Sequence, residues 1–156
     1  MTLKELNSMS LPLAYRFLLA GLRFGYVDLK EAGAYSHAHS GSISTALPST
    51  SKILRLSQEL ADLSSSLPCE DTNAIFVRCD KSRIDVINIL MMGSRDTPYS
   101  NGAFNFDVYC DDSYPNNPPK MLITTTGHGK IRFNPNLYSC GKVCLSLLGT
   151  WRGSAS

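Results

Sequence analysis

The most regular hydrophobic pattern in the chain falls between residues 51 and 66. Apolar side chains recur there at the three- and four-residue spacing of one helix face: Ile53, Leu56, Leu60 and Leu63. Ser51 is predicted to cap the start of this helix, because its hydroxyl can accept a hydrogen bond from a free amide of the first turn. Pro68 cannot continue a helix, so the pattern predicts an end near Ser66.

Four segments after this helix have the character of β-strands. Residues 74–79, 84–92 and 121–125 are mainly apolar. The second of these is apolar on both faces, which is typical of a central strand. In residues 104–110, apolar and polar side chains alternate, and this alternation predicts one buried face and one wet face.

The order of these elements favours an α+β fold. One helix precedes four strands with short connections, and Asn101-Gly102 is typical of a hairpin turn because both residue types tolerate positive φ. We therefore predict an N-terminal helix and a four-stranded antiparallel meander. No helix is predicted between the strands, which argues against a doubly wound nucleotide-binding sheet. Residues 126–156 show little regular pattern, and loops on a rigid scaffold commonly carry functional sites.

The first region of the chain, residues 1–34, is mostly apolar and predicts a helical extension. Thr2 followed by Glu5 has the spacing of a capping box, which favours a helix start. Pro12 interrupts this pattern, and a second short helix is predicted over residues 13–24. No residue pattern in this region points to a chemical site.

The second region, residues 35–50, is rich in Ser, Gly and His and has no periodicity. This composition predicts a flexible linker. His37 and His39 are expected to form a solvated tract rather than a metal site, because no further ligands lie nearby in the sequence. Residues 51–156 then form the compact domain.

The composition excludes several classes of protein. A chain of 156 residues with 43% hydrophobic residues suits one domain with an extension. A net charge of +2 does not indicate a nucleic-acid binder. The chain has five cysteines, an odd number, and its N-terminus does not resemble a cleaved signal peptide. Both observations favour a reducing compartment, the cytoplasm and also the nucleus. No apolar run reaches the ~20 residues that a membrane span needs.

Cys144 is the leading candidate for chemistry in the last segment. It lies between Val143 and Leu145, and a small buried thiol is the commoner role for a cysteine in such surroundings. The alternative is a nucleophile, because a thiolate is highly reactive near neutral pH. His128 is the only histidine of the compact domain and no pattern links it to Cys144, so a cysteine hydrolase is poorly supported.

A thiol can still carry an acyl group by thioester exchange, because the leaving group is another thiol and little proton transfer is needed. Such exchange needs a donor to the tetrahedral oxyanion, and loss of one such donor typically costs about 3–4 kcal/mol of transition-state stabilisation. Asn136, which follows Pro135, is a candidate donor; the alternative is a turn residue bonded to its own backbone. The chemical hypothesis requires the Cys144 sulfur at the surface beside the Asn136 carboxamide.

Several groups of residues occur in the order and spacing of one known family. They are a hairpin-like run from Asp96 to Phe104, a proline loop from Tyr114 to Pro119, the tripeptide Asn134-Pro135-Asn136, and Cys144 eight residues after Asn136. On these motifs, the stretch from Ser51 to Trp151 resembles the catalytic domain of ubiquitin-conjugating (E2) enzymes. Strings at 76–80, 132–138 and 141–146 resemble the giant inhibitor-of-apoptosis E2 hybrids and other large E2 enzymes.

The resemblance implies a UBC-like fold and an enzyme that works through a cysteine thioester. Cys144 would accept ubiquitin from the ubiquitin-activating enzyme (E1) and pass it to a substrate lysine, and Asn136 would stabilise the oxyanion. Five further residues would shape the site: Asn134, Pro135, Tyr138, Ser146 and Trp151. The implied partners are ubiquitin, E1, E3 ligases and protein substrates, without nucleic acid or a membrane span. No cofactor or metal is implied, because E1 consumes the ATP.

The chain departs from the family pattern at three points. Asn134 stands where most E2 enzymes have a histidine whose role is mainly structural, and Ser146 stands where many have an acidic residue near the incoming lysine. The chain stops at Ser156, where a typical E2 continues with further helices. The resemblance therefore implies a truncated core without the C-terminal helices. This gives a second hypothesis, a catalytically inactive module that binds ubiquitin or a ligase.

Overall fold

The computed structural model of the chain describes residues 10–31 and 34–150. Its helical segments are α1 (Leu11–Leu19), α2 (Thr50–Ser66) and short 3₁₀ turns at Ala20–Leu22, Ser40–Ser42 and Ser146–Leu148. Pro12 lies in the first turn of α1, where a missing amide costs no hydrogen bond, so it begins this helix rather than interrupting one. The helix start predicted at Thr2 lies outside the described residues. Neither α1 nor α2 is long and apolar enough to cross a membrane.

The described residues form a mainly antiparallel sheet. The strands, in chain order, are β1 (Phe24–Val27), β2 (Lys30–Glu31), β3 (Ala34–Tyr35), β4 (Cys69–Glu70), β5 (Asn73–Asp80), β6 (Val86–Met92), β7 (Ala103–Tyr109) and β8 (Lys120–Ile123). Strands β2 and β3 form a separate two-stranded pair, and the other six form the sheet. Strands β5 to β8 pair antiparallel in chain order, as the predicted meander requires. Strands β1 and β4 both pair with β5 and extend the sheet to six strands. The α+β class is confirmed, with a larger sheet than predicted.

Strand β1 departs from the helix predicted over residues 13–24. It pairs in parallel with β5, so that Phe24 lies opposite Val77. At the far end of this ladder, the amide of Lys81 donates to the carbonyl of Val27 at 2.9 Å. An uncovered β5 edge would expose unpaired backbone groups, and β1 satisfies them. The helix prediction is therefore wrong at its C-terminal end, while the domain boundary at residue 34 stays a prediction.

The segment predicted as a linker lies against the sheet around His37. The His37 side chain is buried; its Nδ1 accepts from the amide of His39 at 3.2 Å, and its Nε2 donates to the carbonyl of Ile87 at 3.1 Å. The amide of Ala38 donates to the carboxylate of Asp107 at 2.6 Å. Asp107 is itself buried in β7 and needs such donors. The expectation of a solvated histidine tract is therefore wrong.

Helix α2 packs its apolar face on the sheet, as its periodicity predicts. Leu56 and Leu60 are buried on this face. Leu60 belongs to a core cluster whose other buried members are Leu67, Val77, Cys79, Ile87 and Val108. The cap of the helix is Ser49 rather than the predicted Ser51, because the Ser49 hydroxyl accepts from the amide of Lys52 at 3.3 Å.

A buried charge cluster joins α2 to the turn between β5 and β6. Lys52 Nζ donates to Asp85 Oδ2 at 2.8 Å, and Arg83 binds the same carboxylate through two hydrogen bonds of 2.9 Å. Arg83 also donates to the carbonyl of Ala46 at 3.1 Å, which ties the segment before α2 to the cluster. Burial alone would raise the pKa of Asp85, but the hydrogen bonds from Arg83 and Lys52 outweigh it and hold this pKa below its ordinary value.

The turn between β6 and β7 leads to the candidate site. Asn101 has a φ of 63°, the left-handed conformation expected for the predicted turn. A Cβ at Gly93 would lie 1.7 Å from the carbonyl oxygen of Tyr99, so the turn requires glycine there. The Tyr99 ring packs edge-on against Phe104 with centroids 5.7 Å apart. The turn thereby fixes the Tyr99 hydroxyl, which contacts the loop that carries the site.

Candidate active site at Cys144

The segment that leads to Cys144 is anchored on strand β8. The amide of Ile123 donates to the carbonyl of Gly141 at 2.9 Å. Gly141 has a φ of 90°, and a Cβ there would lie 2.9 Å from the carbonyl oxygen of Ile123, so this close approach requires glycine. The next apolar residue, Val143, is buried in a core cluster with Phe106 and Ile123. Cys144 therefore follows directly after a residue that is held in the core.

Asn134 organises the turn that faces this segment. Its Oδ1 accepts from the amides of Asn136 and Leu137, each at 2.8 Å. Its Nδ2 donates to the Tyr99 hydroxyl at 2.7 Å, which connects the turn to the β6–β7 hairpin. All these contacts are structural, so an asparagine at this position can hold the turn without a chemical role.

Arg132 supports the same turn from its other side. Its Nε donates to the carbonyl of Asn134 at 3.2 Å, and its Nη2 donates to the carbonyl of Pro135 at 3.0 Å. Its guanidinium lies 4.3 Å from the centroid of the Tyr138 ring, a cation–π distance. No sequence pattern marked Arg132 as a residue of the site.

Asn136 and Cys144 meet through their main chains. The amide of Cys144 donates to the carbonyl of Asn136 at 2.8 Å, which links the turn to the cysteine segment. Asn136 is exposed, and its carboxamide makes no hydrogen bond within residues 10–31 and 34–150. The carboxamide is therefore free to donate to a group that arrives from outside.

The Cys144 thiol is covered by the residues that follow it. Cys144 is 7% exposed, and its Sγ donates to the carbonyl of Thr150 at 3.3 Å. The Thr150 hydroxyl donates to the carbonyl of Val143 at 2.7 Å and accepts from the amide of Leu145 at 3.0 Å. The expectation of a solvent-presented sulfur is therefore wrong for this conformation, because the 145–150 turn folds back over it. No sequence pattern marked Thr150.

The leucines of the turn over the thiol differ in how well they are packed. Leu148 packs against the core cluster that contains Val143, whereas Leu147 is 85% exposed. Gly149 ends the turn with a φ of 64°. Ser146 lies exposed at its start, and Trp151, which was predicted to shape the site, lies outside the described residues.

Comparison with known proteins places this site in a family. The profile described as "Ubiquitin-conjugating enzyme" matches residues 55–156, which include the whole site. The chain belongs to the ubiquitin-conjugating enzyme family. The E2 resemblance inferred from the motifs is thereby confirmed.

Two curated relatives show how this E2 chain compares with longer proteins. It is 51% identical over 105 residues to the dual E2 ubiquitin-conjugating enzyme/E3 ubiquitin-protein ligase BIRC6 of Homo sapiens, covering 67% of the chain and 2% of that protein. It is 43% identical over 133 residues to the probable ubiquitin-conjugating enzyme E2 25 of Arabidopsis thaliana, covering 85% of the chain and 21% of that protein. The chain thus spans only a small part of these relatives.

A solved structure supports the same fold. Human ubiquitin-conjugating enzyme E2 G1 superposes with a TM-score of 0.54 at 29% identity, covering 66% of the chain and 77% of that structure. The UBC-like fold is therefore shown by structure as well as by sequence.

Two other buried thiols and the one histidine of residues 51–156 give no competing site. Burial raises the pKa of Cys79 and of Cys110 to about 12, which keeps both thiols protonated. Cys140 is exposed and is the alternative target for a thiol reagent. His128 lies on an exposed turn and makes no hydrogen bond to Cys144 within the described residues.

Proposed function

We propose that Cys144 accepts ubiquitin as a thioester and transfers it to a lysine of a substrate protein. The observation that carries the proposal is the pairing of Cys144 with Asn136: their main chains are joined by a 2.8 Å hydrogen bond, and the Asn136 carboxamide has no partner within the described residues. The partners are ubiquitin, E1, a substrate protein and, where used, an E3 ligase. No cofactor takes part, because E1 consumes the ATP.

The reaction has two acyl transfers. In the first, the Cys144 sulfur attacks the thioester carbonyl of ubiquitin on E1; a new S–C bond forms, and the E1 sulfur leaves and takes up the proton that Cys144 lost. In the second, a lysine amine attacks the same carbonyl; a C–N bond forms, the C–S bond breaks, and Cys144 leaves as a thiol. Each step passes through a tetrahedral oxyanion, and in this proposal the Asn136 carboxamide donates a hydrogen bond to it.

The residues around the pair hold it in position. Asn134 fixes the turn through its bonds to two amides and to Tyr99, and the carbonyl of Pro135 is held by Arg132. Tyr138 provides the ring against which the same arginine packs. Ser146, exposed on the turn after the cysteine, faces the incoming lysine in this proposal, and a role for Trp151 stays a prediction.

Charging requires the turn over the thiol to move. The hydrogen bond from Cys144 Sγ to the Thr150 carbonyl must break before the sulfur can attack, because a thiol bound at 3.3 Å and 7% exposed cannot reach a protein-sized thioester. Opening also breaks the two hydrogen bonds of the Thr150 hydroxyl, and each neutral hydrogen bond contributes about 0.5–1.5 kcal/mol net.

A charging assay tests the proposal. The full chain is incubated with E1, ATP and ubiquitin, and the products are separated with and without reductant. We expect a reductant-sensitive adduct with the wild type and with Cys140→Ala, and none with Cys144→Ala. A Cys144→Ser variant should give an adduct that resists reductant, because an oxyester replaces the thioester. No adduct from a chain shown to be folded would contradict the proposal.

The second candidate is an inactive module that binds ubiquitin or a ligase. The burial of Cys144 is the observation that favours it. This candidate predicts no adduct in the charging assay, together with ubiquitin binding that is unchanged by Cys144→Ala.

A further inference from the structure

Cys144 belongs to a stretch of the sequence whose charged side chains are all basic. From residue 113 to Ser156 the chain has no aspartate or glutamate. The same stretch contains five basic residues: Lys120, Lys130, Arg132, Lys142 and Arg152. A net charge of +2 for the whole chain hides this local excess.

Two of these basic groups lie around one ring, that of Tyr138, in the segment between Asn136 and Cys144. The Arg132 guanidinium is 4.3 Å and Lys142 Nζ is 5.9 Å from the centroid of Tyr138. Arg132 is hydrogen-bonded to the turn whose carbonyl at Asn136 accepts from the Cys144 amide. Arg132 therefore supports the turn that is bonded to the Cys144 main chain, and Lys142 lies two residues before Cys144 in the chain.

A third basic residue belongs to the neighbouring turn. Lys130 is exposed and follows Gly129, whose Cβ position would lie 3.9 Å from the carbonyl oxygen of Ser139. The turn that carries Lys130 thus packs beside the 138–142 segment. We call Lys130, Arg132 and Lys142 the basic rim.

The basic rim is not neutralised within the described residues. The basic side chains that form ion pairs there are Arg16, Lys52, Arg55, Arg83, Arg95, Lys120 and the histidine His37. Lys130, Arg132 and Lys142 are all exposed, and none of them forms an ion pair with any residue of 10–31 or 34–150. These three cations, which have no ion pair among the described residues, raise the positive potential around the 130–142 segment.

This potential has a direct consequence for an amine acceptor. A lysine approaches as an ammonium ion, and the basic rim repels it by Coulomb's law unless nearby negative charges compensate. Carboxylates beside the acceptor lysine would pair with the rim and cancel that repulsion. A ubiquitin acceptor with such flanks is therefore favoured over a neutral one.

We propose that the preferred acceptor is a lysine in an acidic peptide segment, whose Asp or Glu side chains bind Lys130, Arg132 and Lys142. This inference rests on the proposed function and adds the substrate class. The bound carboxylates take no part in the bond changes: the acceptor ammonium first loses a proton to solvent, its amine forms the C–N bond, and Cys144 leaves as the C–S bond breaks.

The test is a single-turnover discharge of the ubiquitin-charged full chain onto two peptides. Each peptide has one lysine, flanked by three glutamates in one and by three glutamines in the other. We expect the glutamate peptide to react about threefold faster or more at low salt, the factor that one exposed ion pair supplies. The advantage should shrink at high ionic strength, because salt screens exposed charges.

A matched pair of charge reversals assigns the effect to the rim. Lys142→Glu should abolish or invert the preference for the glutamate peptide. Lys81→Glu reverses another exposed lysine, in the turn between β5 and β6 at the opposite end of the sheet from the hairpin that contacts Asn134, and should leave the preference unchanged.

The outcomes separate the two proposals. A chain that cannot be charged contradicts the proposed function. A chain that charges normally but discharges equally fast onto both peptides overturns the acidic-acceptor inference alone. A preference that Lys81→Glu changes as much as Lys142→Glu also overturns it, because the effect would then come from overall charge.

Discussion

The Cys144 thiol donates a hydrogen bond to the main-chain carbonyl of Thr150, six residues later in the chain, over 3.3 Å. The Thr150 hydroxyl bridges the carbonyl of Val143 and the amide of Leu145 on either side of the cysteine. One residue thus closes the turn twice, through its backbone and through its side chain. Access to the sulfur depends on this closure.

Removing the Thr150 hydroxyl should make the thiol more reactive. Thr150→Val keeps the shape of the side chain and loses both hydroxyl contacts. The conformation in which the 145–150 turn is open and the sulfur is accessible therefore becomes more populated. We expect alkylation of Cys144 by iodoacetamide to be about fivefold faster, which corresponds to a lost hydrogen bond of ~1 kcal/mol. The measurement uses a Cys140→Ala background, because the exposed Cys140 thiol would itself react with iodoacetamide.

Thr150→Ser is the matched control for this experiment. It retains the hydroxyl and should react at the wild-type rate. Equal alkylation rates for Thr150→Val and the wild type would show that the hydroxyl does not control access to the sulfur.

The two asparagines of the 134–136 turn should separate stability from catalysis. Asn136→Ala removes a carboxamide without a partner among the described residues, so folding should be unchanged while transfer from Cys144 to lysine slows by about 100- to 1,000-fold. Asn134→Ala removes the acceptor of two amides and the bond to Tyr99, so the free energy of unfolding should fall by about 1–3 kcal/mol. Urea unfolding and single-turnover transfer measure the two effects. Equal transfer rates for Asn136→Ala and the wild type would remove the oxyanion role.

Asp85→Asn should be among the most destabilising single changes. It leaves the buried Lys52 and Arg83 without their shared carboxylate, and breaking a buried ion pair typically costs about 3–5 kcal/mol. Asp112→Asn is the control, since the Asp112 side chain is 68% exposed and lies 3.7 Å from the same lysine. Surface changes of this kind typically stay within about 0.5 kcal/mol. Similar unfolding midpoints for the two variants would argue against the buried cluster.

Stability should fall in acid because of Asp111. The hydrogen bond from the Ser113 hydroxyl, with help from Lys120, lowers the pKa of Asp111 to about 2. The pKa of Asp111 in the folded chain lies below its unfolded value of about 3.9. Its contribution to the free energy of unfolding is therefore complete above pH ~4 and is lost as the pH falls towards 2. Asp111→Asn should reduce this acid dependence in thermal unfolding measured between those pH values. An unchanged slope would contradict the assignment.

The periodic elements were predictable because their patterns repeat. Helix α2 and strands β5 to β8 follow spacings that bury one face, and the structure places them close to the predicted bounds. Strand β1 has only four residues, and its parallel partner β5 lies about 50 residues further on, as the pairing of Phe24 with Val77 shows. Short strands of this kind have too few positions for alternation to be recognised.

Part of the site was also predictable from the sequence. Cys144 and Asn136 were found from motif spacing, which fixes their order in the chain. The cover over the thiol depends on a main-chain carbonyl of Thr150, and a carbonyl is present at every residue, so no sequence pattern indicates it. Likewise, the buried His37 side chain donates to the carbonyl of Ile87, 50 residues later, and no sequence pattern indicates that contact.

Intact-mass spectrometry under non-reducing conditions tests the central claim most directly. After incubation of the full chain with E1, ATP and ubiquitin, we predict a mass increase of one ubiquitin that maps to Cys144 and is removed by reductant. A folded chain that keeps its unmodified mass, or an increase that persists in Cys144→Ala, would contradict the account.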